Sequence, residues 1–192
     1  MIQAPSLIGL DNQTKIRIIE NTLKIDNKVG KVVPFTLNKM QRHFMQNKSN
    51  RNIILKHRQG GGSAVILADM FTDCLVIPYM SCVVVSHETK ATQRLLDRVQ
   101  GYYDTMGDPK PTMDASSRSE KRFNELHSSI WVGTAGSRAF GHGDTIKKAH
   151  LSELSLYEDA ARILNGVQDA VPITGELTIE CTPQGEENTF FE

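Results

Sequence analysis

The stretch ILKHRQGGGSAVILADMF, residues 53–70, has the outline of a phosphate loop without its best-known side chain. An apolar run, Ile53 to Leu55, meets the glycines Gly60, Gly61 and Gly62 and then Ser63, which opens a helical pattern. Set against G-x-x-x-x-G-K-[ST], Gly61 stands at the last glycine and Ser63 at the helix-opening hydroxyl that binds Mg²⁺. Gly62 takes the place of lysine, and Lys56 that of the first glycine. Glycines let successive backbone N–H groups point at an anion, and the helix that follows offers its positive end. The missing positive charge has two candidate sources within the loop. Arg58 can fold back and grip phosphate oxygens with both arms of its guanidinium, and Lys56 is the second candidate. Without a ligand the same glycine run is a flexible turn.

The rest of the chain supplies a setting for such a loop. At 192 residues it suits one domain able to bury a real core. With 39% hydrophobic residues and 14 glycines its composition is that of a globular protein. Lys+Arg and Asp+Glu balance at 22 each, so net charge draws the chain neither to nucleic acid nor to a membrane, and a polyanion must be held by a local patch. Cys74, Cys82 and Cys181 are widely spaced in apolar surroundings, which reads as reduced thiols in an intracellular protein. They lack the spacing of a zinc site. No apolar stretch approaches a membrane span, and the first residues do not form a secretion signal.

Hydrophobic patterning alternates between two periods. One helix is expected within residues 11–25 and another from about Asn38, after Pro34. A short β-branched strand over 52–57 leads into the glycines and the helix AVILADMFTDCLVI. SCVVVS (81–86) is a second strand, followed by a helix with Ala91, Leu95, Val99 and Tyr102 at helical spacing. Residues 107–128 read as a charged loop with a short strand or hairpin. SSIWVGT is a strand, AGSRAFGHGDT a loop, IKKAHLSE a strand ending in an acid, YEDAARILNGVQDAV a helix, and GELTIECTPQG a last strand ending in a Thr-Pro turn. Alternating strands and helices imply an α/β fold with a mainly parallel sheet covered on both faces. Ligands in such sheets lie beyond the carboxyl ends of the strands. The polar segments 58–63, 152–153 and 181–185 are thus expected to converge on one edge.

Lys56, Arg58, Gln59, Gly61 and Ser63 together resemble the variant phosphate loop (Walker A) K-A-R-Q-x-G-x-S-T of phage terminase large subunits, the DNA-packaging motors. His57 departs from a small residue and Ala64 from threonine, and three consecutive glycines are unusual for that loop. The resemblance runs from about residue 33 to the last residues. It implies a RecA-like P-loop ATPase domain of the ASCE class, with residues 56 and 58–64 around ATP and Mg²⁺ at Ser63.

Other segments extend the resemblance. Ser152-Glu153 matches the L-S-E variant of the family's acid pair (Walker B), usually aspartate then glutamate. It makes Glu153 the base for the attacking water, with Ser152 holding a Mg²⁺-bound water by hydrogen bond. TIECTPQG matches the coupling motif, with Thr182 as the sensor of the γ-phosphate. PFTLNKMQRHF resembles the adenine-side motif, in which Phe35 and Gln41 frame the base. Arg138, in the loop before the acid strand, corresponds to an arginine finger that reaches a neighbouring subunit's ATP. His142, Asp144 and His150 carry no assignment.

For DNA, Lys90, Arg94 and Arg98 share one helix face, and Arg118, Lys121 and Arg122 cluster in the 107–128 loop, both able to meet phosphates. The resemblance implies a single motor domain over residues 1–192 with residues 1–32 peripheral, and no nuclease half or cleavage activity. It also implies ATP-driven transfer of double-stranded DNA into a procapsid, partnership with the portal and the small terminase subunit, a homo-oligomeric ring, and residence in the host cytoplasm. Two rivals are another RecA-like translocase or helicase, and a nucleotide-binding module without turnover.

Overall fold

Parallel strands need crossovers, and the segments between strands here are long enough to provide them. The computed structural model describes residues 10–27, 29–114, 117–135 and 145–183. Its elements run α1 (Asn12–Thr22), β1 (Lys24–Asp26), β2 (Val32–Pro34), α2 (Lys39–Asn47), β3 (Arg51–Leu55), α3 (Gly62–Val76), β4 (Ser81–Ser86) and α4 (Thr89–Thr105). They continue with β5 (Met113–Asp114), β6 (Glu120–Phe123), β7 (Ser128–Thr134), β8 (Lys148–Ser152), a short 3₁₀ turn (Leu154–Leu156), α5 (Ala160–Ala170) and β9 (Glu176–Cys181). The main sheet has the order β3-β9-β8-β4-β7-β6-β5. β3, β9, β8, β4 and β7 are parallel, while β6 and β5 add an antiparallel margin.

The central strands β4, β8 and β9 are buried almost throughout, as strands covered on both faces must be. Their apolar residues alternate between two cores. Cys82 and Val84 face the side of α3 and α4, while Val83, Val85, Leu151 and Ile179 face α5. Ile163 and Val167 of α5 close the second core.

Four expectations change. Ile16 and Ile19 of α1, and Leu23 just after it, lie in the first core, so this part of the N-terminal segment is not peripheral. The buried face of α4 is Thr92, Leu96, Val99 and Tyr102, one residue on from the expected Ala91 and Leu95. Both settings fit the helical period; packing against α3 and β7 chose between them. β5 and β6 pair antiparallel, as the expected short strand or hairpin allowed, but β-alternation buries Lys121 while Arg122 faces out. Phe35 is fully buried against Tyr102, with ring centroids 5.9 Å apart.

At the amino ends of the strands lies a dense buried charge cluster. Lys48 reaches Asp69 at 2.6 Å and Glu176 at 2.7 Å. Lys148 reaches Asp69 at 2.5 Å and Asp73 at 2.6 Å, and Lys15 of α1 reaches Asp73 at 2.6 Å. Burial pushes the Asp69 carboxyl up, but the ammonium groups of Lys148, Lys48 and Lys15 outweigh it and hold Asp69 well below the usual carboxylate range. A cavity of about 340 Å³ adjoins these groups, on the side of the sheet edge away from the glycine loop. Among the described residues no helix is long and apolar enough to cross a membrane.

Candidate functional site

The register of the parallel strands brings the polar segments to one edge. Leu55 pairs with Cys181, Ser152 with Glu180, and Ser86 with Ser152, so β3, β9, β8 and β4 end side by side. The three polar segments expected to meet do so insofar as they are described.

The glycine loop is fixed from α2. Asn38 and Gln41 form a reciprocal capping box at the start of that helix. With their remaining amide hydrogens, Asn38 Nδ2 donates to the Gly60 carbonyl at 3.1 Å and Gln41 Nε2 to the Gly61 carbonyl at 2.9 Å. Gly61 has φ 78°, and a Cβ there would lie 2.6 Å from Gln41 Nε2. Both the left-handed backbone and the close approach require glycine. α3 then begins at Gly62 with no side-chain cap, which leaves its first N–H groups for an outside acceptor. Gln41 thus grips the loop, while Phe35 in the core offers no open ring face.

The absent lysine has a steric reason. A Cβ on Gly62 would come within 2.7 Å of Glu180 Oε2 and 3.1 Å of Lys56 Cδ. The space that a residue-62 side chain would enter is already filled by another lysine. Lys56 Nζ lies 2.8 Å from Glu153 Oε1 and 3.6 Å from Glu180 Oε1. Burial lowers the affinity of this ammonium for its proton, but Glu180 and Glu153 more than reverse that, so its pKa is raised. Arg58, the first candidate from sequence, is exposed and has no ion pair among the described residues. The cation drawn into the centre is Lys56. Gln59 is exposed in the same turn with φ 61°.

Glu153 follows β8 in a left-handed conformation, φ 59° and ψ 51°, which costs a non-glycine residue about 1–3 kcal/mol. Its N–H is tied to the Glu180 carbonyl at 2.8 Å. Its carboxylate accepts from Thr182 twice: the backbone N–H to Oε2 at 2.9 Å and the hydroxyl to Oε1 at 3.1 Å. Burial raises its pKa, but the hydrogen bond from Lys56 and those from Thr182 lower it further, so the group stays ionised.

The residue that sequence reasoning missed is Glu180, fully buried on β9. Its Oε1 accepts from the Ser63 hydroxyl and, at 3.1 Å, from the Ser152 hydroxyl. His150 Nε2 lies 3.3 Å from the same oxygen without an aligned hydrogen bond. Oε2 is buried with no hydrogen-bond partner among the described residues. Burial drives the Glu180 pKa up, but His150, the Lys56 ammonium and the Ser63 hydroxyl drive it down more strongly, to about 2. One signal was available in TIEC: an acid in a strand with both faces covered must have a polar destination.

The remaining assignments scatter. Arg138, His142 and Asp144 lie outside the described residues. Lys90, Arg94, Arg98 and Arg118 are exposed, and Arg122 is exposed but pairs with Glu120 at 3.1 Å. Lys121 is buried, so it does not belong to an exposed basic patch. Cys74, Cys82 and Cys181 are free and buried.

A mainly parallel sheet with a glycine loop entering a helix at its carboxyl edge, and acids at the ends of β9 and β8 beside it, is a RecA-like α/β fold. No family model matches the sequence, and no curated protein is similar to it. Solved structures are similar. The large terminase of bacteriophage HK97 superposes with a TM-score of 0.72 at 14% identity, over 92% of this chain and 39% of that one. The ATPase domain of the Thermus phage P74-26 large terminase gives 0.62 at 16% identity, over 81% of this chain and 68% of that domain. Saccharomyces cerevisiae dbp5, bound to nup159, gle1, IP6 and ADP, gives 0.55 at 10% identity, over 93% of this chain and 48% of that one. The chain therefore has the fold of large-terminase ATPase domains and spans 39% of the HK97 protein's length.

Proposed function

We propose that this chain is the ATP-hydrolysing motor domain of a phage large terminase, moving double-stranded DNA into a procapsid. The observation that carries the reading is the Lys56–Glu153–Thr182 group beside an uncapped glycine loop. The terminase fold and a solved large terminase from a thermophilic phage in complex with ADP support it.

ATP would lie with its phosphates on the N–H groups of Gly62, Ser63 and Ala64, at the positive end of α3. Gly60 and Gly61, held by Asn38 and Gln41, keep those groups pointed outward. Ser63, Ser152 and Glu180 are the groups able to hold Mg²⁺, which when bound neutralises charge on the phosphates. A buried carboxylate oxygen with no donor, on Glu180, fits a cation there. Without nucleotide the Lys56 ammonium rests on Glu153. A γ-phosphate draws Lys56 away, freeing Glu153 to orient and deprotonate the attacking water. Thr182, bonded to Glu153 through both its N–H and its hydroxyl, registers the change and passes it along β9. Arg138 acts as the finger on a neighbouring subunit's ATP, which makes the active form a ring. Arg58 sits at the rim of the loop, available to the triphosphate from outside. Lys90, Arg94, Arg98 and Arg122 are the exposed cations available to DNA, and the portal and small subunit are the proposed partners. The host cytoplasm is the proposed location.

Likeness to dbp5 favours a second reading, a helicase-like translocase. Phosphate release by the wild type and Glu153→Gln, with and without duplex or single-stranded DNA, tests both. The motor reading expects stimulation by duplex DNA and a loss of about 100-fold or more in turnover for the variant. Stimulation by single strands alone would favour the helicase, and no hydrolysis under any of these conditions would leave a binding module.

A further inference from the structure

The acid pair that closes β8 has only one acid. Ser152 stands where the family pattern usually has aspartate, and a hydroxyl brings no charge to a metal. The structure supplies the charge from the neighbouring strand. In parallel strands, residues in register project to the same face, and Ser152 is in register with Glu180. The Glu180 carboxylate therefore arrives beside the Ser152 hydroxyl, 3.1 Å away, and also receives the Ser63 hydroxyl of the glycine loop. Its second oxygen lies by the first turn of α3, 2.7 Å from the place of a Cβ on Gly62, and takes no hydrogen bond among the described residues.

An ionised oxygen left dry and unpaired is costly unless a cation completes it. Glu153 and Glu180 both face the Lys56 ammonium, and His150 Nε2 lies 3.3 Å from Glu180 Oε1, so the oxygen left without a partner among the described residues is Glu180 Oε2. Among the described residues no group of three or more His, Cys, Asp or Glu could hold a metal unaided. Mg²⁺ bound with a nucleotide does not need one: it takes its ligands from phosphates, water and one or two carboxylates.

We propose that Glu180, acting with Ser63, is the carboxylate that holds the divalent cation of the bound nucleotide, directly or through water, in place of the acid absent at Ser152. The acid of the pair has moved one strand sideways. This inference rests on the nucleotide reading above but can fail separately from it.

The test measures ATPγS affinity by calorimetry, in Mg²⁺ and in EDTA, for the wild type, Glu180→Gln and the double variant Ser152→Asp/Glu180→Gln. Thermal melting establishes that each is folded. The wild type should bind at least about ten-fold more tightly in Mg²⁺ than in EDTA. Glu180→Gln should bring that ratio to about two or below, with affinity in EDTA nearly unchanged. Returning an acid to β8 in the double variant should restore most of the ratio. Mn²⁺ resonance spectra with ADP give a second readout: a protein-bound signal in the wild type and the double variant, and the free Mn²⁺–ADP signal in Glu180→Gln. A folded Glu180→Gln protein that keeps the wild-type ratio overturns the proposal, as does a folded double variant that recovers nothing. Should Glu180→Gln not fold, the double variant and the wild-type ratio decide. A wild type that binds ATPγS equally with and without Mg²⁺ overturns this inference alone, whereas one that binds no ATPγS overturns the nucleotide reading as well.

Discussion

Lys56 and Glu153 close the centre of the site between them: the ammonium of one lies 2.8 Å from the carboxylate of the other, across 97 positions of sequence. Lys56 comes from the end of β3 and Glu153 from the end of β8, with β9 between them. The contact therefore exists only when the strand order is right. It also places an ammonium on the group proposed as general base.

Lys56→Ala should weaken ATPγS binding by about ten-fold or more, because a charge-assisted contact to phosphate is worth about 1.5–3 kcal/mol. Arg58→Ala should weaken it by less than about three-fold. Calorimetry on the two variants ranks the candidates directly. The reverse order would return the role to the guanidinium.

Gly62→Lys, which restores the lysine of the common phosphate-loop pattern, should damage the protein. Its Cβ would lie 2.7 Å from Glu180 Oε2 and push that buried carboxylate off Ser63 and Ser152, and overpacking of this kind costs about 1–3 kcal/mol. Urea unfolding should show the loss, and nucleotide affinity should fall rather than rise.

Acid should destabilise the fold through Glu180. Its pKa lies at about 2 in the folded protein against an ordinary 4.5. A folded-state value below the unfolded one gives stability that is complete above the unfolded pKa and disappears as pH falls through the folded one. The window is thus from about pH 4.5 down to about 2. Asp69 and Glu153 are shifted in the same direction. Glu180→Gln should therefore make the fall of urea midpoint with acid shallower without abolishing it; an unchanged slope would count against the lowered pKa of this group.

The buried cluster makes an unequal prediction for two lysines. Burial lowers the Lys48 pKa despite Asp69 and Glu176, whereas at Lys148 the carboxylates of Asp69, Glu176 and Asp73 overcome burial and raise it. Lys148→Met should cost about 3–5 kcal/mol, as expected for stranding buried carboxylates. Lys48→Met, which strands two carboxylates rather than three, should cost less. Equilibrium unfolding at neutral pH measures both.

Much of this arrangement is legible in the chain because it is local. The glycine run, the helix that follows and the alternation of β-branched runs with helical periods gave the parallel sheet and its working edge. What escaped depends on partners distant in sequence. Glu180 looks like one acid in a short strand until register sets it against Ser152 and Ser63. Arg58 and Lys56 are both candidate cations in the sequence, Arg58 the first, and only the folded strands show that Lys56 is the one that meets Glu153 and Glu180. Phe35 and Lys121 illustrate the same limit: an aromatic ring can serve a ligand or the core, and a basic residue in a hairpin faces in or out by a one-residue change of phase.

The cluster of Lys15, Lys48 and Lys148 with Asp69, Asp73 and Glu176 draws on α1, the turn before β3, α3, β8 and β9. Each contributes a charge that is intolerable in a dry interior until the others arrive. A collapsed chain with two strands exchanged would trap at least one of them alone. The cluster thus ties burial of each charge to the native strand order, since α1, α3, β8 and β9 must all be in place before every ion has its partner.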